Sequence, residues 1–159
     1  AGDVHGWGGG KTYIFHNTIL QPTYPDHGSS GGVNAHDANL TKTSTRNNIL
    51  HISKDKYNSI NDPYQNTTND FDYDLYNGNI NAYPSAERNG IRGIPIYIPS
   101  SGYDSTTNKG IFELSSSSPG YDAGEIIPNF NDNYNGAAPD IGAHEAGDLP
   151  MEFGVDAYQ

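Results

Sequence analysis

The sequence predicts an all-β chain whose strands stack as the coils of a solenoid. Three observations point there: helical periodicity is nearly absent, strand-like runs recur between turn-forming clusters, and two of the runs repeat. The strand-like runs cover residues 12–20, 44–52, 70–76, 94–98, 110–114 and 120–123, and Gly/Pro/Asn/Asp/Ser clusters bound them. Residues 85–90 have room for one helical turn, and nothing longer reads as helix. No shift in composition marks a second domain. Residues 1–114 are expected to form coils with long turns, and residues 115–159 a closing segment and tail of the same domain.

The repeat carries the argument. Setting "TYIFHNTIL" over "TSTRNNIL" places Ile19-Leu20 on Ile49-Leu50 and Asn17 on Asn47, a step of about 30 residues. A third run, "FDYDLYNG", puts Tyr73 and Leu75 where Asn47 and Ile49 stand. Side chains alternate across a strand, so Tyr13, Phe15, Asn17 and Ile19 are expected on one inward face, as are Phe71, Tyr73 and Leu75. A buried Asn needs partners, and like residues on neighbouring coils supply them as a hydrogen-bonded ladder. The outward column then holds His16, Arg46 and Asp72.

Composition narrows the partners. Only 33% of the 159 residues are apolar, yet 12 Tyr and 5 Phe argue against disorder, and 19 Gly with 10 Pro suit short strands joined by turns. A net charge of −11 with 8 Lys plus Arg leaves no basic footprint for nucleic acid. It disfavours an anionic membrane surface too, and no apolar run is long enough to span a bilayer. With no cysteine, nothing marks the redox compartment.

The "NNIL" coil, "DYDLYNG", "SSPGYDAG" and "APDIGAHEAG" resemble the closing segment of pectate-lyase-like right-handed parallel β-helix proteins, over residues 10–147. The resemblance implies a secreted, bacterial-type protein acting on polysaccharide. It implies a lyase lineage cleaving uronate chains by β-elimination, with this chain as its C-terminal coils and cap. A noncatalytic β-solenoid, serving as a surface, adhesion or filament subunit, is the alternative. A stacked coil with an open first edge is expected to be covered by upstream coils of the same protein or by an end-to-end subunit.

Candidate site residues follow from the outward column and the turns. Asp70, Asp72 and Asp74, spaced by two, are expected to share a face and repel unless a cation neutralises them. Ca2+ fits as a hard cation with oxygen ligands, and a solvated acidic edge is the alternative. Arg46 is a candidate base or carboxylate partner, and equally a cross-strand partner of Asp72. His36 and Lys42, with Asp37, lie in the long turn between the first two coils, where a general base could sit; they are also ordinary turn residues. Trp7, in a glycine-rich loop, His16 and Asp37 are candidate sugar contacts, Trp7 by stacking its apolar face. Asn39-Leu40-Thr41 and Asn66-Thr67-Thr68 match the glycosylation pattern, at a frequency chance also produces.

Overall fold

A computed structural model describes residues 10–21, 30–35, 42–52, 57–99, 101–104, 106–107 and 110–149. Among these residues there is no helix. Ten strands form three sheets in which every strand pair is parallel. The chain passes three times through the same circuit. Strands β1 (Thr12–Phe15), β2 (Thr18–Gln21) and β3 (Ser30–Asn34) make the first pass. Strands β4 (Thr43–Arg46), β5 (Ile49–Ile52) and β6 (Asn58–Asn61) make the second. Strands β7 (Asp70–Phe71), β8 (Leu75–Tyr76) and β9 (Asn79–Asn81) make the third, and β10 (Ile91–Arg92) follows. The sheets are ordered β1-β4-β7, β10-β8-β5-β2 and β3-β6-β9, so each pass adds one strand to each sheet. This is the parallel stacking expected of solenoid coils.

The first step of the repeat is 31 residues, not 30: Thr12 pairs with Thr43 and Phe15 with Arg46. The second step matches the sequence alignment, since Ile49 pairs with Leu75. The one-residue correction moves the β1 side chains to the opposite face, whereas Ile19 on β2 still packs against the inner core as expected. Ile14 and Phe71 are buried with Thr45 between them, whereas Tyr13 is 58% exposed. The cause is a corner residue in each pass. His16, Asn47 and Tyr73 have φ of 50°, 56° and 60°, the left-handed region, and each splits an apparently continuous run into two strands. Such a conformation costs a non-glycine residue roughly 1–2 kcal/mol. Backbone bonds hold it: His16 N donates to Arg46 O at 3.1 Å and Asn47 N to Tyr73 O at 3.1 Å.

The asparagine ladder exists one residue further along than expected. Asn17 Nδ2 donates to Asn48 Oδ1 (3.0 Å), and Asn48 Nδ2 donates to Asp74 Oδ1 (2.8 Å) and to Ile14 O (2.8 Å). A second ladder closes the third sheet, where Asn81 Nδ2 donates to Asn61 Oδ1 (2.7 Å) and Asn61 Nδ2 to Asn34 Oδ1 (3.1 Å). Stacked amides satisfy one another, which is how so polar a chain buries its coils.

Two apolar cores result. Ile14, Val33, Ala35, Leu50, Ile60, Phe71 and Tyr83 fill the space between the sheets. Ile49 and Leu75 point from the opposite face of the second sheet and pack against Leu114 and Ile141. Each fully buried aliphatic or Phe side chain contributes roughly 1.5–3 kcal/mol. The coils approach closely enough that a Cβ on Gly32 would lie 2.0 Å from Ser59 O.

The third pass is closed by residues 83–91. Phe71 N donates to the Tyr83 hydroxyl (2.9 Å), Glu87 N to Phe71 O (2.8 Å) and Ile91 N to Asp74 O (2.8 Å). Residues 85–90 are turns rather than a helical turn. Residues 114–143 instead run along the flank and touch all three passes: Ala143 N donates to Thr18 Oγ1 (3.1 Å), Gly142 N to Asn47 O (2.8 Å), and Leu114 packs on Leu75. The runs at 94–98 and 110–114 meet in an antiparallel bridge between Tyr97 and Leu114 and in an edge-on ring contact between Tyr97 and Phe112.

Candidate functional site

The site begins with Arg46 at the end of β4, beside Phe15 and pointing outward. Its guanidinium is fully engaged on two sides. Nε donates to Glu125 Oε2 at 2.7 Å and Nη2 to Asp70 Oδ2 at 2.6 Å. Nη1 donates to Thr45 O at 2.7 Å and Asp70 O at 3.1 Å, and the group lies 5.7 Å from the Tyr73 ring centroid. Burial by itself lowers the Arg46 pKa, but the hydrogen bonds and charges of Asp70 and Glu125 outweigh it and raise the pKa. Arg46 is thus a locked cation that ties β4 to β7 and to the flanking segment.

Aromatic rings continue the surface from Arg46. Tyr13 and Phe15 lie 5.5 Å apart by ring centroid; Phe130 meets Phe15 edge-on at 5.7 Å and stacks on His16 at 5.9 Å. Tyr13 and Phe130 are each 58% exposed and Ile126 49%, an unusual concentration of apolar surface on so polar a chain. Tyr13, Phe15, Arg46, Asp70, Glu125 and Ile126 line a cleft of about 260 Å³. Phe130 and His16 border a second cleft of about 280 Å³, with Asn131, His144 and Glu145 on its walls.

His16, expected as a sugar contact, is a structural node. Nδ1 faces Gly142 O at 3.1 Å, which can only accept, so this nitrogen carries the proton. Nε2 then accepts from Asn47 Nδ2 (2.9 Å) and Asn131 Nδ2 (2.7 Å). Burial lowers its pKa, consistent with a neutral ring pinned on three sides.

The three carboxylates expected to share a cation part company at the Tyr73 corner. Asp70 is exposed and bound to Arg46. Asp72 takes Asn89 N (2.7 Å) and Asn89 Nδ2 (2.8 Å). Asp74 is fully buried in the ladder, where Oδ1 accepts from Asn48 N and Nδ2, both at 2.8 Å. The three side chains thus do not converge in this arrangement. Among the described residues no group of three or more His, Cys, Asp or Glu is placed to hold a metal ion. The expected Arg46–Asp72 ion pair is replaced by Arg46–Asp70, because Asp72 turns toward Asn89.

Lys42 is exposed at the turn before β4 and does not line the cleft. Trp7, His36, Asp37 and the sequon at Asn39 lie outside the described residues. Sequence reasoning missed Tyr13, Phe130, Glu125 and Ile126. Phe130 left a signal, as a large apolar residue isolated in the polar stretch "PNFNDNYN". Comparison with protein-family models, curated proteins and solved structures finds no match. Among the described residues no helix is long and apolar enough to cross a membrane.

Proposed function

We propose that this chain is the carbohydrate-contacting part of an extracellular, polysaccharide-acting right-handed parallel β-helix protein. The observation that carries this reading is a row of rings on the outside of the coils, Tyr13 and Phe130 exposed and Phe15 half-buried between them, beside a cleft that also holds Arg46, Asp70 and Glu125. Flat apolar rings next to hydrogen-bonding groups suit pyranose rings, which offer an apolar face and a hydroxyl rim. A locked Arg46 supports binding at this surface rather than abstraction of a substrate proton, since a general base must be able to lose its own proton. Arg46 is therefore not the base of the β-elimination that the family resemblance implies.

Calorimetric titration of the chain with a panel of neutral, amino-bearing and uronate hexasaccharides tests the reading. Tyr13→Ala with Phe130→Ala is expected to weaken binding at least tenfold, about 1.4 kcal/mol, with little change in the thermal midpoint. Absence of binding to every glycan, or equal affinity of the double variant, refutes it.

A further inference from the structure

We infer that the cleft beside Arg46 selects glycans that carry no carboxylate, with Asp70 and Glu125 as its specificity-determining residues. This rests on the carbohydrate-contacting reading and adds the chemical class of the ligand.

The argument is a count of charges and donors. Arg46 is the sole cation among the described residues that line the cleft, and it faces two carboxylates, Asp70 and Glu125, which leaves a local excess of one negative charge. The chain as a whole stands at −11. A uronate carboxylate would have to be met by the Arg46 fork, because paired N–H donors are what guanidinium offers a carboxylate. That fork is already used. Of the five N–H groups of a guanidinium, Nε serves Glu125, Nη2 serves Asp70, and both Nη1 hydrogens go to the Thr45 and Asp70 carbonyls. One N–H remains, on Nη2, too few for a bidentate grip.

The acceptors are arranged the opposite way. Asp70 spends Oδ2 on Arg46 and Glu125 spends Oε2, while Asp70 Oδ1 and Glu125 Oε1 accept no hydrogen bond among the described residues. The Asp70 side chain is 56% exposed and that of Glu125 35%, so both oxygens are open to a ligand. Two free carboxylate oxygens beside the exposed Tyr13 ring invite donors: sugar hydroxyls, or the ammonium of an amino sugar. A carboxylate in the same place meets like charge without compensation.

The test is titration of the intact chain with three hexasaccharides: a xylan fragment (neutral), a chitosan fragment (ammonium) and a galacturonate fragment (anionic). The first two are expected to bind at least tenfold more tightly than the third. Added salt should weaken only the chitosan fragment, which separates charge attraction from hydroxyl recognition. Asp70→Asn and Glu125→Gln, measured singly and checked for an unchanged near-ultraviolet spectrum, each remove one negative charge and should narrow the preference at least threefold. Wild-type binding of the galacturonate fragment as tight as that of the others overturns this inference while leaving the carbohydrate reading in place. So does an unchanged preference in both variants. Failure of all three glycans to bind overturns the carbohydrate reading itself.

Discussion

Asn48 is the residue whose loss the coils should feel most. Its side chain uses its full hydrogen-bonding capacity. Oδ1 accepts from Asn17 N and Asn17 Nδ2, both at 3.0 Å, and Nδ2 donates to Ile14 O and Asp74 Oδ1, both at 2.8 Å. Replacing it with Ala strands unequal partners. The Asn17 groups sit at an exposed position and turn to water. Ile14 O and Asp74 Oδ1 lose a donor where water does not reach, since Asp74 and Asn48 are both 0% exposed. Stranding Ile14 O costs about 1–3 kcal/mol, and Asp74 Oδ1, which keeps its bond from Asn48 N, adds about 1 kcal/mol, so Asn48→Ala should cost about 3 kcal/mol. Asn17→Ala, at the wet end of the same ladder, should cost about 1 kcal/mol or less. Urea unfolding followed by circular dichroism measures both. Equal losses at the two positions, or a loss below about 1 kcal/mol at Asn48, would refute the claim that burial along the ladder sets the energy.

Two further perturbations probe the cap and the flank. Burial pushes the carboxyls of both Asp74 and Glu87 up, and the charge of Asp74 raises Glu87 further. Folded values above the unfolded ones mean that the folded state holds extra protons, so this contribution is complete in acid and lost as pH rises through the folded values. Wild-type thermal midpoints should fall between about pH 5 and pH 9 and Glu87→Gln should flatten that fall; parallel curves would show the pair to be inert. At Gly142, φ is +119° and an added Cβ would lie 2.7 Å from Ile49 Cδ1. Gly142→Ala should therefore cost about 1–3 kcal/mol and strip hydrogen-exchange protection from the Ala143 amide, with unchanged protection as the contrary result.

The parts of the fold that were legible are those where one residue type recurs for a physical reason. Parallel stacking showed in the repeated asparagines because a buried amide needs hydrogen-bond partners and stacked coils can supply them, as Asn17–Asn48 and Asn34–Asn61 do. Strands β3, β6 and β9 were not legible. Their sequences, SGGVN, NSIN and NIN, consist largely of residues that otherwise mark turns. They are strands because neighbouring coils pair their backbones and ladder their amides, neither of which local propensity records. The one-residue slip has a local cause as well. Matching Ile19-Leu20 to Ile49-Leu50 maximised likeness, whereas the pairing sets Thr18 on Ile49 and Leu20 on His51. Ile49 faces the flanking core, a second apolar environment outside the coils that a single inward face does not anticipate.

The same slip hid the site. With Tyr13 and Phe15 assigned inward, no aromatic surface was left to notice, and the outward column was read as His16, Arg46 and Asp72 alone. Passing the left-handed corner at His16 corrects the parity. Phe15 then stands beside Arg46, Tyr13 joins it on the outside, and His16 becomes the pin that carries the flanking segment across the first two passes. That segment completes the cleft: Glu125 arrives 79 residues after Arg46 in sequence, and Phe130 docks on a ring more than a hundred positions earlier, as the neighbouring contact of Asn131 with His16 at a separation of 115 shows. No spacing rule joins residues so far apart. What joins them is Asn47, a corner residue whose amide grips both backbone groups of Glu125: Oδ1 accepts from Glu125 N at 2.8 Å and Nδ2 donates to Glu125 O at 2.8 Å. The asparagine that sequence reasoning placed in the interior ladder is thus the residue that docks Glu125 beside Arg46, so the cleft depends on the corner rather than on the coil interior.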